Sequence, residues 1–171
     1  MKKKTSLIMP FLLLACMAPK KTAIATIEAK NNSSISGKAS FSEVNNRIKV
    51  EISITGAGSG PVAVHIHEFG DCEQNDGKSA GGHWNPTEEA HGSWGSDIYH
   101  SGDIGNIPID PSGAGKLSLV DNFGRWTIGG PEETNILDKA IIIHLGNDDM
   151  VSQPSGAAGA RIGCGVIKAT P

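Results

Sequence analysis

The stretch "RIKVEISITGAGSGPVAVHIH" (47–67) decides how the chain is to be read. Its first eight residues alternate: Ile48, Val50, Ile52 and Ile54 fall on one face, and Arg47, Lys49, Glu51 and Ser53 on the other. A period of two is the mark of a strand with one wet face. The glycine-rich turn "TGAGSG" (55–60) follows. "PVAVHIH" then alternates again, with Val62, Val64 and Ile66 opposite Ala63, His65 and His67. This places an apolar face toward a core and two imidazoles side by side outside it.

Similar short segments flank this stretch. They are "TAIATIEA" (22–29), "ISGKASF" (35–41), "GKLSLV" (115–120), "KAIIIH" (139–144) and "RIGCGVIKA" (161–169). With 171 residues, 22 glycines and no convincing amphipathic helix, the chain reads as one all-β domain, a sandwich or barrel. Two stretches carry little strand pattern, 69–115 and 146–160. Irregular segments of such length inside a compact domain call for a cross-link or a function that orders them.

The first residues read as a separate unit. Lys2, Lys3 and Lys4 precede a short apolar stretch, 7–15, too short to span a bilayer. That is the shape of an export signal, expected at 1–15. Its end, "LLAC" (13–16), resembles the lipobox of bacterial lipoproteins, so Cys16 is the expected lipidation site and 16–23 a tether to a domain at 24–171. A plain signal cut after Ala18 is the competing reading. Either way the expected location is outside the cytoplasm, in the periplasm or cell envelope. If Cys16 carries lipid, Cys72 and Cys164 remain as a pair, and export favours a disulfide between them over two free thiols. Loss of the three leading lysines leaves 12 basic against 18 acidic side chains, a formal charge of −6. Such a surface excludes a nucleic-acid partner.

All six histidines lie between the "HIH" strand and the "AIIIH" strand: His65, His67, His83, His91, His100 and His144. An isolated H-x-H is as often a solvated pair as a chelate. The loop changes that balance. "GGHWNP", "HG" and "HSGD" supply His83, His91, His100 and Asp103, three imidazoles and a carboxylate that suit tetrahedral zinc and would pin the loop at four points. His65, His67 and His144 are then left at strand ends.

Together, "HIHEFGDC" (65–72), "GGHWNP" (81–86), "HG" (91–92), "HSGDIGN" (100–106), "IIIH" (141–144) and "ARIGCGVI" (160–167) resemble the copper,zinc superoxide dismutases, from about residue 22 to the end. The resemblance implies an eight-stranded Greek-key β-sandwich or flattened barrel, immunoglobulin-like, with two long functional loops. It implies copper on His65, His67, His83 and His144, and zinc on His83, His91, His100 and Asp103. His83 would bridge the two metals, since imidazole has two ring nitrogens. It further implies Asp148 as a carboxylate linking a copper ligand to a zinc ligand, with Asp149 the runner-up. Cys72–Cys164 would be the intrachain disulfide, and Arg161 and His83 the residues that act on the substrate. That substrate is superoxide, converted to dioxygen and hydrogen peroxide. A homodimer is compatible with the resemblance. The late loop, 146–160, has no Lys or Arg, so Lys78 is the candidate for steering the anion. The alternative is a non-catalytic metal-binding domain on the same scaffold.

Overall fold

The computed structural model describes residues 20–171. The export signal, Cys16 and the first part of the tether lie outside the described residues. Thr22 and Ala23, at the end of the expected tether, already belong to the first strand.

Nine strands form in chain order. They are β1 (Thr22–Ala29), β2 (Ser36–Val44), β3 (Arg47–Thr55), β4 (Val62–His67), β5 (Asp103–Ile107), β6 (Gly115–Val120), β7 (Ala140–His144), β8 (Arg161–Val166) and the two-residue β9 (Lys168–Ala169). Their lateral order is β5-β4-β7-β8-β1-β2-β3-β6, with β9 beside β1, and the pairs are antiparallel. An isolated bridge between Ile109 and Gly115 ties the β5 side to β6. The result is a nearly closed eight-stranded barrel. Chain crossings from β3 to β4 and from β6 to β7 give it Greek-key connectivity. Among the described residues, no helix is long and apolar enough to cross a membrane.

Burial follows the side-chain period. Ile48, Val50, Ile52 and Ile54 of β3 are buried, whereas their neighbours face outward. Phe41, Ile27, Val64, Ile66, Ile141 and Ile143 join them in one core. β4 and β7 are different, because every residue in them is buried. Their second face carries Ala63, His65 and His67 on β4 and Ala140, Ile142 and His144 on β7. Loops cover that face, so the histidines stand outside the core, as the alternation implies, without facing solvent. They lie outside the barrel but beneath its loops, at 0%, 1% and 4% exposure for His65, His67 and His144.

Two expectations change. The irregular stretch 69–115 contains a strand, β5, and therefore ends at 102. β5 lacks a readable alternation because it opens on Asp103, has Gly105 at φ +117° and pairs with β4 through a bulge. The segment 161–169 also breaks at Ile167, whose N–H donates to the Lys139 carbonyl at 2.9 Å instead of continuing the ladder with β1. Trp84 and Trp126 are buried in the core and Trp94 packs against it, as packing residues rather than a binding box.

Cys72 and Cys164 are joined across 92 residues of sequence. The bond fastens the 68–102 loop to β8, over a small apolar cluster of Ala80, Ala140, Ile142 and Cys164. In the chain-entropy model, closing a loop of this length stabilises by about 4–5 kcal/mol. Replacing both cysteines by serine is expected to lower the urea midpoint and steepen the slope, because the released unfolded chain exposes more surface. An unaltered midpoint would show that the loop is held without the bond.

Candidate metal centre

Each site residue is placed by a local feature of the chain. His65 and His67 share the outer face of β4, and His144 ends β7 on the adjoining strand. His83 comes from the loop, which runs back along β4 and forms a one-residue antiparallel bridge with His67. Two rungs flank that bridge: Trp84 N–H donates to the Ile66 carbonyl at 2.8 Å, and Glu68 N–H to the Gly82 carbonyl at 3.1 Å. Gly102 closes the same strip, its N–H on the Trp84 carbonyl at 2.9 Å. A Cβ there would lie 2.2 Å from the Ile66 carbonyl oxygen, so the approach requires glycine.

The residues converge as two groups, His65–His67–His83–His144 and His83–His91–His100–Asp103. Within each, one ligand atom per residue lies within 4.8 Å of the others, and His83 belongs to both. The hydrogen bonds decide which atoms are free. His67 Nδ1 donates to the Gly81 carbonyl at 3.0 Å, and His144 Nδ1 to the Gly159 carbonyl at 3.2 Å. His65 Nε2 donates to Asp148 at 2.9 Å. Each bond fixes a tautomer and leaves the opposite nitrogen bare. His65 Nδ1, His67 Nε2, His83 Nε2 and His144 Nε2 are accordingly buried without a partner. Each unsatisfied buried nitrogen costs about 1–3 kcal/mol. A cation that prefers imidazole is the group that satisfies four at once.

The second group gathers on one oxygen. Asp103 Oδ2 accepts the backbone N–H of Gly92 at 3.1 Å and of His100 at 2.8 Å. Its Oδ1 faces Nδ1 of His83, His91 and His100 at 2.8, 3.0 and 3.1 Å. Three imidazole nitrogens and a carboxylate oxygen form a donor set of the kind that suits zinc.

Asp148 joins the groups. Its Oδ2 accepts from His65 Nε2 and its Oδ1 from His91 Nε2, both at 2.9 Å. Asn106 on β5 grips the Asp148 backbone twice, at 2.8 and 2.9 Å. Gly156, at φ +64°, leaves room for this junction, since a Cβ there would sit 1.7 Å from Asp148 Oδ1. Asp149, the runner-up for the bridging role, is exposed and caps the N–H groups of Val151 and Ser152 in its own loop.

Arg161, at the start of β8, donates from Nη1 to the Gly77 carbonyl and from Nη2 to the Gly81 carbonyl, each at 2.7 Å. It lines a cavity of about 360 Å³ together with His67, His83, His144, Pro154 and Ser155. Lys78 does not line this cavity. Its exposed ammonium lies 3.3 Å from Asp76, which offsets its charge locally. Thus the structure brings together every expected ligand, Asp148, Arg161 and the disulfide, and places Lys78 outside the cavity, next in sequence to the Gly77 whose carbonyl holds Arg161. The Gly81 and Gly159 carbonyls gave no sequence signal because they act through the backbone, and Asn106 gave none because its carboxamide grips the backbone of a residue distant in sequence.

A two-metal protein of a particular kind is defined by this fold and site: an antiparallel barrel with imidazole-rich groups on its outer wall and one ring common to both. A family model described as copper/zinc superoxide dismutase matches residues 35–167. The Cu-Zn superoxide dismutase 2 of Aquifex aeolicus (strain VF5) is 35% identical over 174 residues, 98% of this chain and 100% of the relative. The Cu-Zn superoxide dismutase of Saccharomyces cerevisiae is 35% identical over 150 residues, 82% of this chain and 94% of the relative. A crystal structure of a double mutant of a SOD-like protein from Bacillus subtilis superposes with a TM-score of 0.73 at 31% identity, covering 84% of this chain and 95% of that one. The chain belongs to the copper/zinc superoxide dismutase family, and copper and zinc are its cofactors.

The electrostatics of the metal-free domain set its response to acid. Burial, then repulsion by neighbouring imidazoles, lowers His67 well below the ordinary histidine range and holds His144 at about 3. Burial likewise lowers His83 to about 4, against the pull of Asp103. Burial would also lower His91, but its bonds to Asp103 and Asp148 outweigh it and raise His91 to about 9. Burial works to raise Asp103 and Asp148, yet hydrogen bonds from the histidines hold both well below the carboxylate range. An unfolded histidine takes its proton near ~6.5. Between that pH and the depressed values, the unfolded chain therefore binds more protons, and acid destabilises the fold. His91 acts oppositely, its contribution complete below ~6.5 and lost as pH rises toward about 9. Three lowered groups outnumber one. The metal-free domain is expected to lose stability as pH falls from ~6.5, and further as the two aspartates protonate. Unfolding midpoints that stay flat from pH ~6.5 to ~4 would contradict this.

Proposed function

We propose that the protein dismutates superoxide, two anions and two protons giving one dioxygen and one hydrogen peroxide. The observation that carries this reading is the set of four buried, partnerless imidazole nitrogens, three of them on rings that line the cavity beside Arg161. Copper held by His65, His67, His83 and His144 would supply the one-electron couple, and zinc held by His83, His91, His100 and Asp103 a fixed charge that changes no oxidation state.

The chain's own residues do the rest. Arg161 presents a guanidinium fixed by two carbonyls, so an arriving anion meets a positive charge whose position is already set. Local charge of this kind is needed, since the domain is acidic overall. The cavity has room for a small anion and its water. His83 can hold a proton on Nε2 between the two halves of the reaction and pass it to the departing peroxide, while its Nδ1 stays oriented by Asp103. Asp148 orients the His65 and His91 rings, holding each Nε2 so that His65 Nδ1 faces the first group and His91 Nδ1 the Asp103 carboxylate.

The alternative, a metal-binding domain without turnover, draws its support from the likeness to a SOD-like protein. The two separate on His144→Ala. Loss of dismutation by at least about 100-fold with zinc still bound is expected for the enzyme. Wild-type protein that binds both metals yet fails to remove superoxide would establish the other reading.

We also infer that the chain works at the cell envelope, exported by 1–15 and held by lipid on Cys16. Three early lysines, a short apolar stretch and "LLAC" (13–16) support this. The mass of the native N-terminus is expected to show an acylated Cys16. An unmodified chain starting at residue 19 would contradict it.

A further inference from the structure

Gln153 sits in the same loop as Asp148 but grips a different part of the site. Its Oε1 accepts the His91 backbone N–H at 2.9 Å, and its Nε2 donates to the His91 carbonyl at 2.9 Å. A carboxamide that takes both backbone groups of one residue imitates a rung of sheet and fixes that residue's position. The 145–160 loop therefore holds His91 at three atoms, counting the bond from its Nε2 to Asp148. Immediately after Gln153 come Pro154 and Ser155, which line the cavity beside Arg161. Gln153 itself does not line it. Beyond them, Gly156 closes the loop on itself, donating to the Ser152 carbonyl at 2.7 Å and accepting from Asp149 N–H at 2.9 Å.

We propose that Gln153 is a positioning residue that makes the wall of the anion cavity depend on occupancy of the His83–His91–His100–Asp103 group. A cation on His91 Nδ1 restrains the His91 ring and, through it, the backbone. Two hydrogen bonds carry that restraint to Gln153, and the chain carries it one and two residues further to Pro154 and Ser155. Remove the carboxamide, and among the described residues the one hydrogen bond left between this group and the loop is that of His91 to Asp148. Zinc then does more than orient His83: it orders a surface that borders the place where the anion binds. This rests on the zinc assignment above, but it is read by affinity and loop order, not by turnover.

The test uses copper-free protein, zinc as the only added metal, and two readouts. Zinc affinity is measured by competition with a chromophoric chelator. Backbone hydrogen exchange is followed across residues 150–158. In the wild type, zinc is expected to slow exchange in this segment. In Gln153→Leu, zinc should bind about 10-fold more weakly, the size of effect usual for a residue supporting a ligand, and slow the segment far less. Gln153→Glu keeps an acceptor and loses the donor, and is expected to fall between the two. Equal zinc protection of the segment in wild type and variants would overturn the proposal, as would a wild type whose segment ignores zinc. Should Gln153→Leu fail to fold, Gln153→Glu decides by the same criteria. A wild type that shows the zinc-dependent protection, yet fails to remove superoxide once copper is also bound, would leave the coupling supported and refute the functional reading, so the two fail separately.

Discussion

Imidazole nitrogens must be dry enough to stay neutral at moderate pH, yet reachable by a small anion. The rest of the structure depends on reconciling these demands. A barrel's interior would give dryness without access, and its wet face the reverse. This chain uses the outer wall of β4 and β7 and roofs it with loops. Burial then keeps His67, His83 and His144 deprotonated, the form in which imidazole binds a metal. Hydrogen bonds to carbonyls and to Asp148 aim the bare nitrogens inward. The arrangement is costly without an ion, because several buried nitrogens have no partner.

The loops that form the roof are themselves ordered by what they cover. The 68–102 loop is held by the disulfide, by its bridge to β4 and by three ligand positions. The 145–160 loop is held chiefly through Asp148 and its Asn106 clamp, and through Gln153. Charge follows the same economy of means. An acidic domain with no Lys or Arg in its late loop places one fixed guanidinium at the cavity. Its carbonyl partners, Gly77 and Gly81, belong to the disulfide-anchored loop, so the position of Arg161 depends on that loop's order.

Legibility in the sequence tracked the physics of each element. β3 was plain because one face is buried and the other wet, which is what alternation reports. β5 was invisible, since "DIGNI" carries a ligand, a positive-φ glycine and a bulge in five residues. The metal groups were readable because histidine is scarce and all six are used. Their burial was not, because the strand pattern cannot say that a loop will fold back over an outer face. Asn106 and Gln153 left no trace for a similar reason. An amide side chain that grips backbone is chemically ordinary until the fold sets that backbone beside it.

The central claim is that His83 serves both groups, Nε2 toward His65, His67 and His144, and Nδ1 toward His91, His100 and Asp103. Crystals of the domain grown with copper and zinc, with anomalous data collected at both absorption edges, test it directly. The account predicts two distinct ions, copper in the first group and zinc in the second, each about 2.0–2.1 Å from one nitrogen of His83. A His83 ring bound to one ion only, or the two metals in the reverse groups, would contradict it.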